Sequence, residues 1–136
     1  MRFDTKIVVI VRADLPVWQK LNMTAFLVSG IAATEADIVG EPYADASENI
    51  YLPMFRQPVL VFGASTEQIR QAYERAQSRG VRVAIFTEEL FATGNDTDNR
   101  AAVRGVAAAD LKLVGLALHA ARNTADKIVK GLALHT

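Results

Sequence analysis

Asp14, Lys20, Thr24 and Glu88 are residues of this chain whose types and placement could do chemistry. Asp14 follows an apolar run that reads as a buried strand, and Lys20 opens the helix that comes next. Lys20 and Thr24 stand four residues apart and share a helix face, whereas Asn22 does not. An ammonium in that position could stabilise negative charge developing on an ester carbonyl, as an oxyanion donor does. Asp14, or Glu88 at the end of another strand, could activate the attacking water. Turn capping and surface ion pairs account for the same residues without any chemistry, so both readings stand on these residues alone.

Other chemistries are missing from the sequence. There is no GxSxG elbow, Walker loop, GxGxxG turn or HExxH helix. No cysteine occurs, which removes thiolate nucleophiles, thiolate metal sites and disulfides. The two histidines, His119 and His135, read as structural or exposed, and neither has carboxylates at metal-ligand spacing. No metal or cofactor is expected. Ser65, at the start of a helix, could face an anion, but its role as a cap suffices to explain it. Trp18 and Tyr43 could stack on a base, although packing is the commoner use of an aromatic.

The elements that position these residues form one expected domain, residues 1–136, in an α/β arrangement. Ile7–Val11 is an unbroken β-branched run of the kind covered on both faces in a central strand. A helix follows Pro16 from about Trp18 to Ala33, with apolar positions almost encircling it, so that it should be largely buried. Ile38–Val39 and Ile50–Leu52 flank a polar turn and read as a small inserted hairpin. Val59–Phe62 is a strand, Ser65 and Gln68 form a capping box, and Gly80 closes that helix as its C′ residue. Val81–Phe86 is the next strand, parallel to Val59–Phe62 and adjacent to it or one strand away. A loop from Thr87 leads to a helix over Asp98–Ala108. Leu111–Leu118 is a strand in which Gly115 marks a close backbone approach. Asn123 should cap a final helix that runs past Ile128 and Val129 to Leu132. The expected architecture is a three-layer α/β/α sandwich around a four-stranded mixed sheet.

Charge and hydropathy narrow the partners. The net charge is +0 and the pI is about 6.7. Residues 1–20 carry +2, residues 35–48 carry −5, and the stretch from Asp98 onward carries +3. Nucleic-acid domains are usually basic with a basic face, so a tRNA substrate fits this balance poorly. The apolar run Ile7–Val11 is too short for a secretory signal. Leu21–Ala33 is too short to span a bilayer. A cytoplasmic protein with no membrane partner is expected.

Three stretches carry a family resemblance: KIVVIVRADL with its lysine-initiated helix, STEQIRQAYERAQSRGVRVAIF, and KLVGLALHAARNTADKIVKGLAL. They resemble the opening, the middle helix and strand, and the last strand and helix of peptidyl-tRNA hydrolase II. The chain resembles still more closely an uncharacterised bacterial domain-of-unknown-function family of that fold. That family is typified by DLPxxxxxN, here Asp14-Leu15-Pro16 with Asn22, and by a final strand like Gly115–Ala120. The hydrolase resemblance implies catalytic roles for Asp14, Lys20 and Glu88. It places Thr24 and Thr93 in ligand binding, and it involves no cofactor. Thr24 stands where the hydrolases have glutamine, and Glu88–Gly94 departs from their acidic glycine-containing loop. The expectations are therefore a peptidyl-tRNA hydrolase II-like protein with an unknown small-molecule or ester ligand, a metal-independent esterase of peptidyl- or aminoacyl-tRNA type, or a homodimeric binding module with the acidic hairpin as contact surface.

Overall fold

The computed structural model describes residues 2–136. Strand β1 (Thr5–Arg12) leads to helix α1 (Val17–Thr34), then to the hairpin strands β2 (Tyr43–Ala44) and β3 (Ile50–Tyr51). Strand β4 (Val59–Ala64), helix α2 (Thr66–Ser78) and strand β5 (Ala84–Thr87) follow. A single helical turn over Glu88–Phe91 precedes helix α3 (Asp96–Arg104). Strand β6 (Leu113–Ala121), helix α4 (Arg122–Ile128) and strand β7 (Ala133–Leu134) complete the order.

The main sheet has five strands in the order β5-β6-β1-β4-β7, one more than the sequence pattern indicates. Strand β1 pairs parallel with β4, from Ile7 opposite Val59 to Arg12 opposite Ala64, and antiparallel with β6 on its other edge. Its side chains alternate between two cores. Val8 and Ile10 join Ile69, Ala72 and Ala76 of α2 and Ala125 and Ile128 of α4. Ile7, Val9 and Val11 join Met23, Leu27 and Ile31 of α1. Helices therefore cover both faces, as a strand without a polar alternation requires.

Strands β4 and β5 run in the same direction, but β1 and β6 both lie between them, so the expected adjacency does not hold. The long apolar strands β1 and β6 take the interior positions, and four-residue β5 is left at an edge, where a short strand exposes little unpaired backbone. Val81, Arg82 and Val83 lie outside β5, which begins at Ala84.

Local chemistry explains most helix ends. In α2, Ser65 Oγ accepts from Gln68 N at 3.2 Å and Gln68 Oε1 accepts from Ser65 N at 2.9 Å. This capping box is worth about 1 kcal/mol. The helix closes with Gly80 N donating to Gln77 O and Val81 N to Ala76 O, with Gly80 at φ +68°, which is a complete Schellman closure. Helix α3 is capped by Asn95, whose Oδ1 accepts from Asp98 N, so it begins two residues before Asp98 and stops at Arg104, short of Ala108. Asn123 is the second residue of α4 and caps nothing; the N-cap position is Ala121. Helix α4 ends at Ile128, short of Leu132. Arg75 of α2 donates to the carbonyls of Ile128 and Lys130, and Gly131 at φ +90° turns the chain back. That turn delivers the fifth strand, with Leu134 opposite Phe62.

Helix α1 buries only Met23, Leu27 and Ile31, and leaves Val17, Trp18, Leu21 and Phe26 exposed. The other side of that contact is Gly115: a Cβ built there would stand 2.5 Å from Met23 Sδ and 3.1 Å from Leu27 Cδ1. The close approach read from the sequence is therefore between β6 and α1. Gly115→Ala should cost about 1–3 kcal/mol by overpacking, measured by denaturant unfolding. A change of a few tenths or less would show that Met23 yields freely.

The hairpin is tied at its base by the Val39–Phe55 bridge and organised at its tip by Asp45. Asp45 accepts from Tyr51 Oη (2.7 Å), Asn49 Nδ2 (3.1 Å), Asn49 N (3.0 Å) and Ser47 N (2.9 Å). The Tyr51 hydroxyl first, then Asn49, hold the carboxyl down at about 2, and the same bond raises the Tyr51 hydroxyl. A folded value below the unfolded one of about 3.9 stabilises at neutral pH, an effect lost as pH falls from about 4 through about 2. Amide protection at Ser47 and Asn49 should decline in that window, and Asp45→Asn should abolish the pH dependence. Protection that is flat across the window in the wild type would contradict this origin of the tip's order.

Candidate functional site

Strands β1 and β4 are parallel neighbours, and the helices that follow them leave in opposite directions. After Arg12 the chain is held to β4 by Ala13 N donating to Ala64 O (2.9 Å), turns at Asp14, buries Leu15 and enters α1 on one face. After Ala64, Ser65 caps α2, which packs on the other face. In open α/β sheets such a divergence leaves a crevice beyond the carboxyl ends of the two strands. Here it is a cavity of about 450 Å³ lined by Arg12, Asp14, Gly63, Ser65, Thr66 and Glu67. A second cavity of about 570 Å³ shares Arg12, Thr66 and Glu67 and extends past the start of β6 to Glu88 and Lys112. Arg70 borders it and donates to Ala108 O and Leu111 O, fixing the loop that enters β6.

Asp14 lies in the first cavity, but its partner is Arg12, whose Nε donates to Asp14 Oδ1 at 2.7 Å. Lys20 is held elsewhere: Nζ donates to Ala13 O at 3.1 Å and to His135 Nε2 at 2.9 Å. His135 reaches that position because its own N–H donates to Val61 O (2.8 Å) as β7 closes on β4. Its ring lies against Gly63, where a Cβ would stand 3.5 Å away. Accepting at Nε2 puts the imidazole proton on Nδ1, which donates to Thr136 O at 2.8 Å. Thr24 Oγ1 donates to Lys20 O at 2.7 Å, a bond within its own helix. Thr93 Oγ1 is bonded to Leu90 O (3.1 Å) and to the Asn99 side chain, linking the helical turn after β5 to α3. Glu88 is exposed on the second cavity, its N–H donating to Lys112 O.

The structure thus gathers Asp14 with Arg12, Ser65, Thr66 and Glu67, and sets Glu88 in the adjoining cavity. Lys20 belongs to a pair with His135. Arg12 and His135 are the residues that sequence reasoning missed. Arg12 carried a signal, because residues two apart at a strand end point to the same side. His135 carried none, because its place depends on β7. At the opposite end of β1, His119 Nε2 lies 2.9 Å from Thr5 Oγ1, and Nδ1 lies 3.4 Å from Glu35 Oε2. Among the described residues, no group of three or more His, Asp or Glu is arranged to hold a metal ion. Nor is any helix there long and apolar enough to cross a membrane.

The fold and site define a mixed α/β protein with an open five-stranded sheet, a small hairpin sheet and a polar crevice where two parallel strands diverge. The chain belongs to DUF2000, a family described as proteins of unknown function, whose profile matches residues 5–136. A solved structure of a protein of unknown function from Agrobacterium tumefaciens strain C58 is 47% identical to it. That structure superposes with a TM-score of 0.96, over 99% of this chain and 100% of the other. A comparison with curated proteins finds no match.

Proposed function

We propose that this protein binds a small zwitterionic molecule, of the size and polarity of an amino-acid derivative, in the crevice beyond β1 and β4. The observation that carries this reading is the departure of α1 and α2 to opposite faces from adjacent parallel strands. The cavity they leave falls within the usual range of roughly 300–1,000 Å³ for small-ligand sites. Its charges alternate. Arg12 and the N-terminal turn of α2 suit a carboxylate, because the capping box occupies the N–H groups of Ser65 and Gln68 and leaves those of Thr66 and Glu67 outside it. Asp14 and Glu67 suit an ammonium. A cysteine-free chain of zero net charge agrees with a cytoplasmic binding protein.

The resemblance to peptidyl-tRNA hydrolase II supports a second reading, in which a protein of that fold cleaves an ester in the same crevice. Glu88 and Arg12 on one cavity favour it. The Lys20–His135 pairing favours binding, since it occupies the ammonium that cleavage would use on substrate.

Titrating glycine and N-acetylglycine against the ¹⁵N-labelled protein separates the readings. The N–H signals of Ala13, Thr66 and Glu67 should shift saturably, glycine more strongly than its acetylated form, and Arg12→Ala should remove the response. Peptidyl-tRNA should not be turned over. Shifts confined to other regions, or an unchanged response in Arg12→Ala, would refute the binding site. Turnover lost in Lys20→Ala would establish the hydrolase.

A further inference from the structure

The exposed apolar surface of this molecule is concentrated on two consecutive elements. Of the ten large hydrophobic side chains exposed among the described residues, four lie on α1: Val17, Trp18, Leu21 and Phe26. Five lie on the hairpin and its return: Tyr43, Ile50, Tyr51, Leu52 and Met54. Leu134 is the remaining one. A surface helix ordinarily turns charged and polar residues to water. Helix α1 has a single charged residue in eighteen, Lys20, and that ammonium is bonded to Ala13 O and His135. Its outer row, Trp18, Ala25, Ser29 and Ala32, is exposed and carries no charge.

We infer that this face is covered by a second copy of the chain, with α1 meeting α1 across a two-fold axis and each hairpin reaching over its partner. Three observations select that occupant. The first is area. At about 100 Å² of exposed surface for each large apolar side chain, a half to two-thirds of what such a residue buries in a core, the nine supply on the order of 900 Å². Taken over both elements, that meets the roughly 800 Å² per partner of a stable complex.

The second observation is where charge is missing. On a two-fold axis a residue meets its own copy, so any charge there faces a like charge. The outer row of α1 has none, and the small side chains of Ala25, Ser29 and Ala32 let two helices approach closely. The third is where charge is found. Segment 35–48, which runs into the hairpin, carries −5, so the rest of the chain carries +5. A hairpin laid over a partner's body therefore brings opposite charges together. Isolated two-stranded hairpins are marginal in water, and this one exposes Leu52 at 85% and Ile50 at 71%. A partner surface supplies the apolar contact that the hairpin lacks in the single chain.

Sedimentation equilibrium at tens of micromolar tests the inference. The full-length protein should run at twice its chain mass of 14.8 kDa. Ala25→Glu places like charges across the axis and should weaken association about 100-fold or more. Leu52→Glu alters a fully separate, exposed position on the hairpin and should also shift the protein to the single-chain mass. Gln77→Glu, on the exposed side of α2, should leave the dimer unchanged. Circular dichroism and a cooperative melt establish that each variant is folded, and either of the first two suffices if the other fails to fold. A wild type at the single-chain mass would overturn the inference and assign the face to a foreign protein or a lipid surface. A dimer that persists in a folded Ala25→Glu or Leu52→Glu protein would overturn it equally.

Discussion

Five consecutive residues, Ile7 to Val11, are almost wholly removed from water, and they carry the rest of the molecule. Burying a Val or Ile side chain contributes about 1.5–3 kcal/mol, so the run contributes on the order of 10 kcal/mol, comparable with the whole net stability of a domain. Because successive side chains point to opposite faces, one strand must satisfy two cores. A slip of one residue would exchange every member of the two sets. The helices must therefore lie on opposite sides, and β4 and β6 must occupy both edges.

The crevice is a consequence of that packing. Where β1 runs out at Arg12, α1 has to reach the face of Ile7, Val9 and Val11, whereas α2 has to reach the face of Val8 and Ile10. The gap between their starting points gathers Arg12, Asp14 and the first turn of α2. The same strand brings Thr5, at its other end, beside His119 of β6. Core packing and site position thus share one cause.

Features set by a few neighbouring residues were legible in the sequence. The capping box at Ser65, the Gly80 closure, the central strand and the tight approach at Gly115 each depend on short-range chemistry or on one side-chain size. Features set by distant partners were not. Strand β7 is two residues long and shows no periodicity; it exists because Arg75 and Gly131 turn the chain toward an open edge of β4. The start of α3 is a local exception: Asn95 Oδ1 accepts from Asp98 N and begins the helix two residues before the expected position. The separation of β4 from β5 reflects competition among strands for the interior of the sheet. At the site, the position of Asp14 was readable from the strand before it. The partner of Lys20 was not, because it lies 115 residues along the chain. Helix α1 shows the opposite case: its apolar composition implies burial on every side, and a single chain covers only one.

Native-state hydrogen exchange tests the central role of β1 most directly. The amides of Val8 to Val11 should exchange only through global unfolding, with the largest opening free energy in the molecule. Those of Ala133 and Leu134, and of the hairpin, should open locally and far earlier. Exchange of the β1 amides through a local opening, with α2 or β6 still protected, would contradict the account.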